Sequence, residues 1–192
     1  MAQQVSRARK AGPGWAPPNP VATVCLAFGL TLALPAGIRA ADSLEYRVKA
    51  AFLLNFTKFT EWPAASFAAA DSPIEICILG EDPFGAALDQ IVAGEIVNGR
   101  RVVSRRIKQA PTPKSCAVLF VSQSDKGALK TLPPFGPGVL TVGEGEDFVR
   151  HGGMIAFIIE NRRVRFDVNR TAAEKAGLEL SSKLLSIARA VE

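Results

Sequence analysis

Residues 154–169 constrain the fold of this chain more than any other stretch. Met154 to Glu160 is almost entirely apolar, Asn161-Arg162 supplies a polar turn, and strict alternation follows. The pattern predicts an antiparallel hairpin whose first strand is buried on both faces and whose second is half exposed. In the second strand Val164, Phe166 and Val168 point one way and Arg163, Arg165, Asp167 and Asn169 the other, because side chains alternate across a strand. Thr171, with Glu174 three residues on, reads as a capping box that opens a helical segment at Ala172. Gly177 interrupts it, and Leu180, Leu184, Leu185, Ile187, Ala188 and Val191 then give a second helix an apolar face.

Upstream of the hairpin, strands alternate with helices. Asp42 and Glu45 frame a helix start, and Leu44, Val48, Ala51, Phe52, Phe56 and Phe59 fall near a 3.6-residue repeat. That helix is expected to end at Thr60-Glu61-Trp62-Pro63, where proline biases Trp62 away from helical angles. Strands are expected at Ile74 to Leu79, Val102 to Ile107, Ala117 to Val121 and Val139 to Val142. Asp82-Pro83 should cap a helix running to about Ala93, with proline at its first position. Ser124 opens another short helix that closes before Pro133-Pro134, and Glu146 to His151 is a turn of helix followed by the tight Gly152-Gly153 connection. The order predicts an α/β single-domain sandwich: a largely parallel central sheet, a C-terminal antiparallel hairpin, and flanking helices.

The first forty residues read differently. Arg7, Arg9 and Lys10 precede the uncharged run Val21 to Ile38, and Ala40-Ala41 follows, which is the layout of a secretory signal peptide. Residues 1–40 are therefore expected to be removed after Ala40, leaving residues 41–192 as the exported domain. A retained anchor is the weaker alternative, since the apolar core Val21 to Leu34 falls short of the roughly 20 residues that span a bilayer. Cys25 lies early in that run behind Val24, which argues against lipidation. The leader carries four basic and no acidic residues, so the mature chain holds nineteen basic against eighteen acidic groups, a net +1. Nothing in that balance calls for nucleic acid. The run Arg100 to Arg106 is the local exception, read as a solvated strand after the Asn98-Gly99 turn or, alternatively, as a contact for an acidic protein surface.

No catalytic constellation emerges. His151 is the single histidine, and it precedes two glycines at what reads as a helix end. Gly143-Glu144-Gly145 mimics the start of a dinucleotide fingerprint but lacks the third glycine and places acids where phosphates would sit. Ser181-Ser182-Lys183 has the wrong spacing for serine-lysine acyl transfer. No spacing suggests a metal site or a cofactor. Cys77 and Cys116 survive removal of the leader in strand-like segments, where an oxidising compartment favours a disulfide; two separate buried thiols are the alternative.

These pieces together resemble the YfiR family of periplasmic regulators. The resemblance rests on Tyr46 through Phe59-Thr60-Glu61-Trp62-Pro63, Ile76-Cys77-Ile78-Leu79-Gly80 with Asp82-Pro83-Phe84-Gly85, Cys116 before an apolar strand, and Leu140-Thr141-Val142. Its strongest part is Gly152-Gly153-Met154 to Asn169 followed by Ala172-Ala173, Ala176-Gly177-Leu178 and Ser181-Ser182-Lys183-Leu184-Leu185. The resemblance implies a binding module, not an enzyme, that represses an inner-membrane diguanylate cyclase through its periplasmic sensor domain. It further implies sequestration by an OmpA-type outer-membrane lipoprotein, control of cyclic-di-GMP and biofilm formation, and a homodimer. Cys77 and Cys116 match one family cysteine pair; a second pair has no counterpart here, which removes the basis for redox control through it. The alternative is a small-ligand-sensing module, with a pocket beside the hairpin, that regulates another membrane signalling protein such as a histidine kinase.

A partner surface is expected on the exposed face of the final strand, Arg163, Arg165, Asp167 and Asn169, with the neighbouring Trp62-Pro63 corner as apolar anchor. The ordinary alternatives are that the row is merely solvated, that Asn169 only positions the following helix, and that Trp62 belongs to the core.

Overall fold

The computed structural model describes residues 40–109, 114–122 and 137–192, and these fall within the compact unit Gly37–Glu192. The expected signal peptide lies outside the described residues except for Ala40, and so does the helix expected after Ser124. Among the described residues no helix is long and apolar enough to cross a membrane.

Helix α1 (Ala40–Lys58) leads through a two-residue strand, β1 (Thr60–Glu61), to β2 (Ile74–Leu79), α2 (Ala86–Val92) and the hairpin β3 (Ile96–Val97) with β4 (Arg100–Ile107). Then come β5 (Val118–Val121), β6 (Leu140–Glu144), α3 (Glu146–Arg150), β7 (Ile155–Glu160) and β8 (Arg163–Val168). The chain closes with α4 (Arg170–Lys175), β9 (Glu179–Leu180), α5 (Ser182–Ile187) and β10 (Ala190–Val191). Eight strands form one sheet in the order β10-β8-β7-β6-β5-β2-β4-β3, and β1 pairs antiparallel with β9 beside it. From β4 to β7 neighbouring strands run parallel; β7 with β8 and β3 with β4 are antiparallel. The largely parallel α/β sheet with its C-terminal hairpin is thus present.

Alternation along the central strands builds two cores. Ile76, Ile78, Phe120, Val142, Phe157 and Phe166 face α1 and α2, while Cys77, Leu79, Leu119, Val121, Ala156 and Ile158 form the opposite layer with Phe148 and Val149 of α3. Phe56 of α1 seats on the hairpin, its ring 5.7 Å from Phe157 and 5.2 Å from Phe166. All three rings are buried, and fully burying each stabilises by about 1.5–3 kcal/mol.

Several local expectations need correction. The buried stripe of α1 is Lys49, Ala50, Leu53, Leu54, Phe56 and Thr57, so Leu44, Val48 and Ala51, placed on the apolar face by periodicity, are exposed. The helix also stops at Lys58, because Thr60 and Glu61 are drawn into pairing with Leu180 and Glu179. Asp82 caps a turn rather than a helix: its Oδ1 accepts from Phe84 N (2.8 Å) and Gly85 N (3.2 Å), and α2 starts only at Ala86. Asn169, not Thr171, caps α4, accepting from Ala172 N at 2.8 Å, while Glu174 pairs with Arg170 instead. The second closing helix ends at Ile187. Beyond it the chain turns extended and joins β8 as a parallel edge, with Arg189 N donating to Phe166 O and Glu192 N to Val168 O.

In the hairpin itself Ile155 to Ile158 are buried, but Ile159 and Glu160 emerge from the core. Asn161 and Arg162 both take positive φ, 51° and 61°, the twist that a two-residue hairpin turn requires.

Candidate interaction surface and cavity

The row expected on β8 divides in the structure. Arg163 and Arg165 are exposed. Asp167 is buried, 6% accessible, with its carboxylate held by the guanidinium of Arg189 through Nε to Oδ1 at 2.8 Å and Nη2 to Oδ2 at 2.5 Å. Arg189 also donates to Glu146 Oε1 at 2.8 Å, tying α3, β8 and the C-terminal edge together. These hydrogen bonds to two carboxylates hold the guanidinium more firmly protonated than usual. Asn169 is committed to capping α4 and donates from Nδ2 to Val149 O at 3.3 Å.

Trp62 is half-buried. Its indole donates to Ala117 O at 3.3 Å and packs on the α1-side core, the layer that holds Phe166. Arg163, Arg165 and Asp167 alternate with Phe166 and so point to the other side of the sheet. The tryptophan corner and the arginine row therefore do not share one face.

The basic run on β4 is largely engaged inside the molecule. Arg100 stacks on the Phe67 ring at 3.9 Å and donates to Ser72 O at 2.7 Å. Arg106 reaches Asp82 Oδ2 at 2.8 Å, Gly85 O at 2.7 Å and the Asp89 carboxylate, which pins the loop after β2. Arg105 donates to Ser115 O at 2.6 Å and pairs with Glu75 at 2.7 Å, covering the disulfide that joins Cys77 to Cys116. Both cysteines are buried, with Cα atoms 5.8 Å apart, so β2 is stapled to the residue that leads into β5. His151 closes α3, its Nδ1 against Asp147 O at 2.6 Å, an ordinary helix-end position.

A cavity of about 570 Å³ opens at the carboxyl ends of the parallel strands. The loop after β2 (Glu81, Asp82, Pro83), the end of β6 (Glu144), the side of β7 (Phe157 to Ile159) and α1 (Glu45, Tyr46, Lys49) line it. Lys49 is buried there, its ammonium between the Glu45 and Glu144 carboxylates and 4.3 Å from the centre of the Tyr46 ring. Sequence reasoning placed a pocket beside the hairpin but none of these side chains in it. The available signal was a lysine four residues after a glutamate on an otherwise apolar helix face.

The family model described as DUF4154, YfiR/HmsC-like, matches residues 46–189, from the aromatic that packs on the cavity to the arginine that clasps Asp167. The chain belongs to the YfiR/HmsC-like family. Its members are periplasmic regulators rather than enzymes, and the match takes in the whole sheet except for its last pairing strand, β10. No curated protein matches the chain.

Proposed function

We propose that this YfiR/HmsC-like protein is a periplasmic repressor that binds the sensor domain of an inner-membrane diguanylate cyclase and lowers cyclic-di-GMP output. The observation that carries the reading is the family match across residues 46–189, which spans the hairpin bearing the exposed Arg163 and Arg165. A regulator restrains its partner only by preferring the inactive conformation, so the bound sensor domain is the inactive one. In this reading residues 1–40 are a leader removed near Ala40, residues 41–192 act in the periplasm as a homodimer, and an OmpA-type outer-membrane lipoprotein relieves repression by sequestering the regulator.

The partner surface in this reading is the exposed face of β8, with Arg163 and Arg165 in contact. Asp167 and Asn169 act behind them by fixing the edge, and Trp62 supports the sheet from the opposite layer. Deleting the gene should raise cyclic-di-GMP and surface attachment; unchanged nucleotide levels in cells that express the cognate cyclase would overturn the reading. A second reading, a module that senses a small ligand on behalf of a membrane signalling protein, is favoured by the cavity above the sheet.

A further inference from the structure

We infer that the cavity at the carboxyl ends of the parallel strands binds a small organic cation with an apolar body, of the primary-amine or guanidine class. The inference supplies the ligand class for the sensing reading and does not depend on the repression reading.

Topology makes the crevice. After β2 the chain crosses to β4 on one side, whereas β5 is followed by β6 on the other, so the connections leaving adjacent strands β2 and β5 diverge. Ligands of open α/β sheets bind at such a switch point, outside the carboxyl ends of the strands. Asp82 and Pro83 from the loop after β2 and Ser122 after β5 line the opening there. The volume, about 570 Å³, falls within the range of roughly 300–1,000 Å³ that small-molecule sites occupy.

Charge decides the class of ligand. Asp82 and Glu146 on the rim already have arginine partners, Arg106 and Arg189. The inner group does not balance: Lys49 is one ammonium between two carboxylates, with the Lys49 and Glu144 side chains each 4% exposed and that of Glu45 31% exposed. The excess of one negative charge rests on Glu45, which is only partly solvated at the cavity wall, and an incoming cation adds compensation there. Glu81 stands exposed at the rim with no ion pair among the described residues, and adds attraction at the entrance. A metal ion fits poorly, because among the described residues no group of three or more His, Cys, Asp or Glu side chains converges closely enough to hold one. The Tyr46 ring and the Phe157 and Ile159 side chains offer an apolar wall for the body of an organic cation.

The test titrates the purified full-length protein with phenethylamine and with agmatine, using phenethyl alcohol and hydrocinnamate as the neutral and anionic counterparts of the first. Calorimetry and the shift of the thermal transition report binding. At least one cation should bind, with the alcohol and the acid at least tenfold weaker. Glu144→Gln should weaken the cation at least tenfold and the exposed Glu81→Gln about threefold, in line with loss of a buried and a rim charge respectively. Glu81→Gln keeps the test decisive if the buried variant does not fold. Absence of binding by both cations up to about 10 mM, well past the weak-ligand range, overturns the inference. So does equal affinity for the alcohol, or unchanged cation affinity in every folded carboxylate variant.

Discussion

Arg189 grips both carboxylate oxygens of Asp167 across the outermost pairing of the sheet, at 2.8 and 2.5 Å, from a segment that periodicity assigns to a helix. The side chain expected to face a partner is therefore a buried anchor for the C-terminus. Arg189 N and Glu192 N add backbone bonds to Phe166 and Val168 on the same edge. The clasp decides what substitutions on β8 report.

Asp167→Ala is expected to lower unfolding free energy by about 2 kcal/mol, because it strips Arg189 of its buried acceptor and loosens β10. Arg189→Ala should cost at least as much, since it leaves the Asp167 carboxylate buried without its donor. Urea denaturation measures both, and the double variant should cost less than the sum of the singles.

Arg163→Glu and Arg165→Glu should leave the thermal transition within a degree or two of wild type, as exposed substitutions usually do. If this face of β8 contacts the sensor domain, each should weaken capture of that domain by about tenfold, the effect of reversing a recognition charge. Wild-type capture by both folded variants places the contact elsewhere. Asp167→Lys is not a useful probe, because it destroys the clasp.

Replacing both Cys77 and Cys116 with alanine should destabilise by up to about 4 kcal/mol, the chain-entropy value for a bridge with this sequence separation of 39. The bridge gives a second readout. In urea without reductant, alkylation should find a free thiol at neither Cys77 nor Cys116, and the wild-type urea midpoint should fall when reductant is present during unfolding.

Gly143→Ala and Gly153→Ala should each cost about 2 kcal/mol or more through overpacking. A Cβ at Gly143 would lie 2.2 Å from the Phe148 ring and one at Gly153 2.1 Å from its other edge, so the ring is wedged between two glycines. Phe148 is itself 2% exposed and has nowhere to retreat. Phe148→Leu in the Gly143→Ala background should recover part of the loss, measurable by thermal unfolding.

Asp89 carries a pH signature. The hydrogen bond from Arg106 is the main cause holding its carboxyl below the ordinary value of 3.8, with Ser104 helping and partial burial opposing. A carboxyl more acidic in the folded chain stabilises above its unfolded value, and that contribution is lost as pH falls through the lower folded value. Asp89→Asn should thus melt below wild type at about pH 7, with the gap narrowing under about pH 4. Both groups are substantially exposed, so the gap should be small and should shrink further in high salt.

Elements whose stability comes from their own pattern were legible in the chain. Ile74 to Leu79 is the strand that its apolar run predicts, and the Asn161-Arg162 turn and the alternation of Val164, Phe166 and Val168 stand as read, because a two-residue period and a tight turn are local properties. What periodicity could not decide was anything that depended on distant partners. Val191 continues an apolar helical stripe, yet it lies in a strand because β8 offers an open edge to pair with. Asp167 has the alternation of a solvent-facing residue but is buried, since Arg189, twenty-two positions on, neutralises it there. Leu44 and Val48 share the helix period and are nevertheless exposed, while Lys49 turns inward because Glu144, ninety-five residues away, is waiting at the end of β6. The sequence by itself determined the central strands, the hairpin turn and the family. Only the tertiary structure decided which charges are buried, because burying a charge depends on a partner that chain neighbours do not supply.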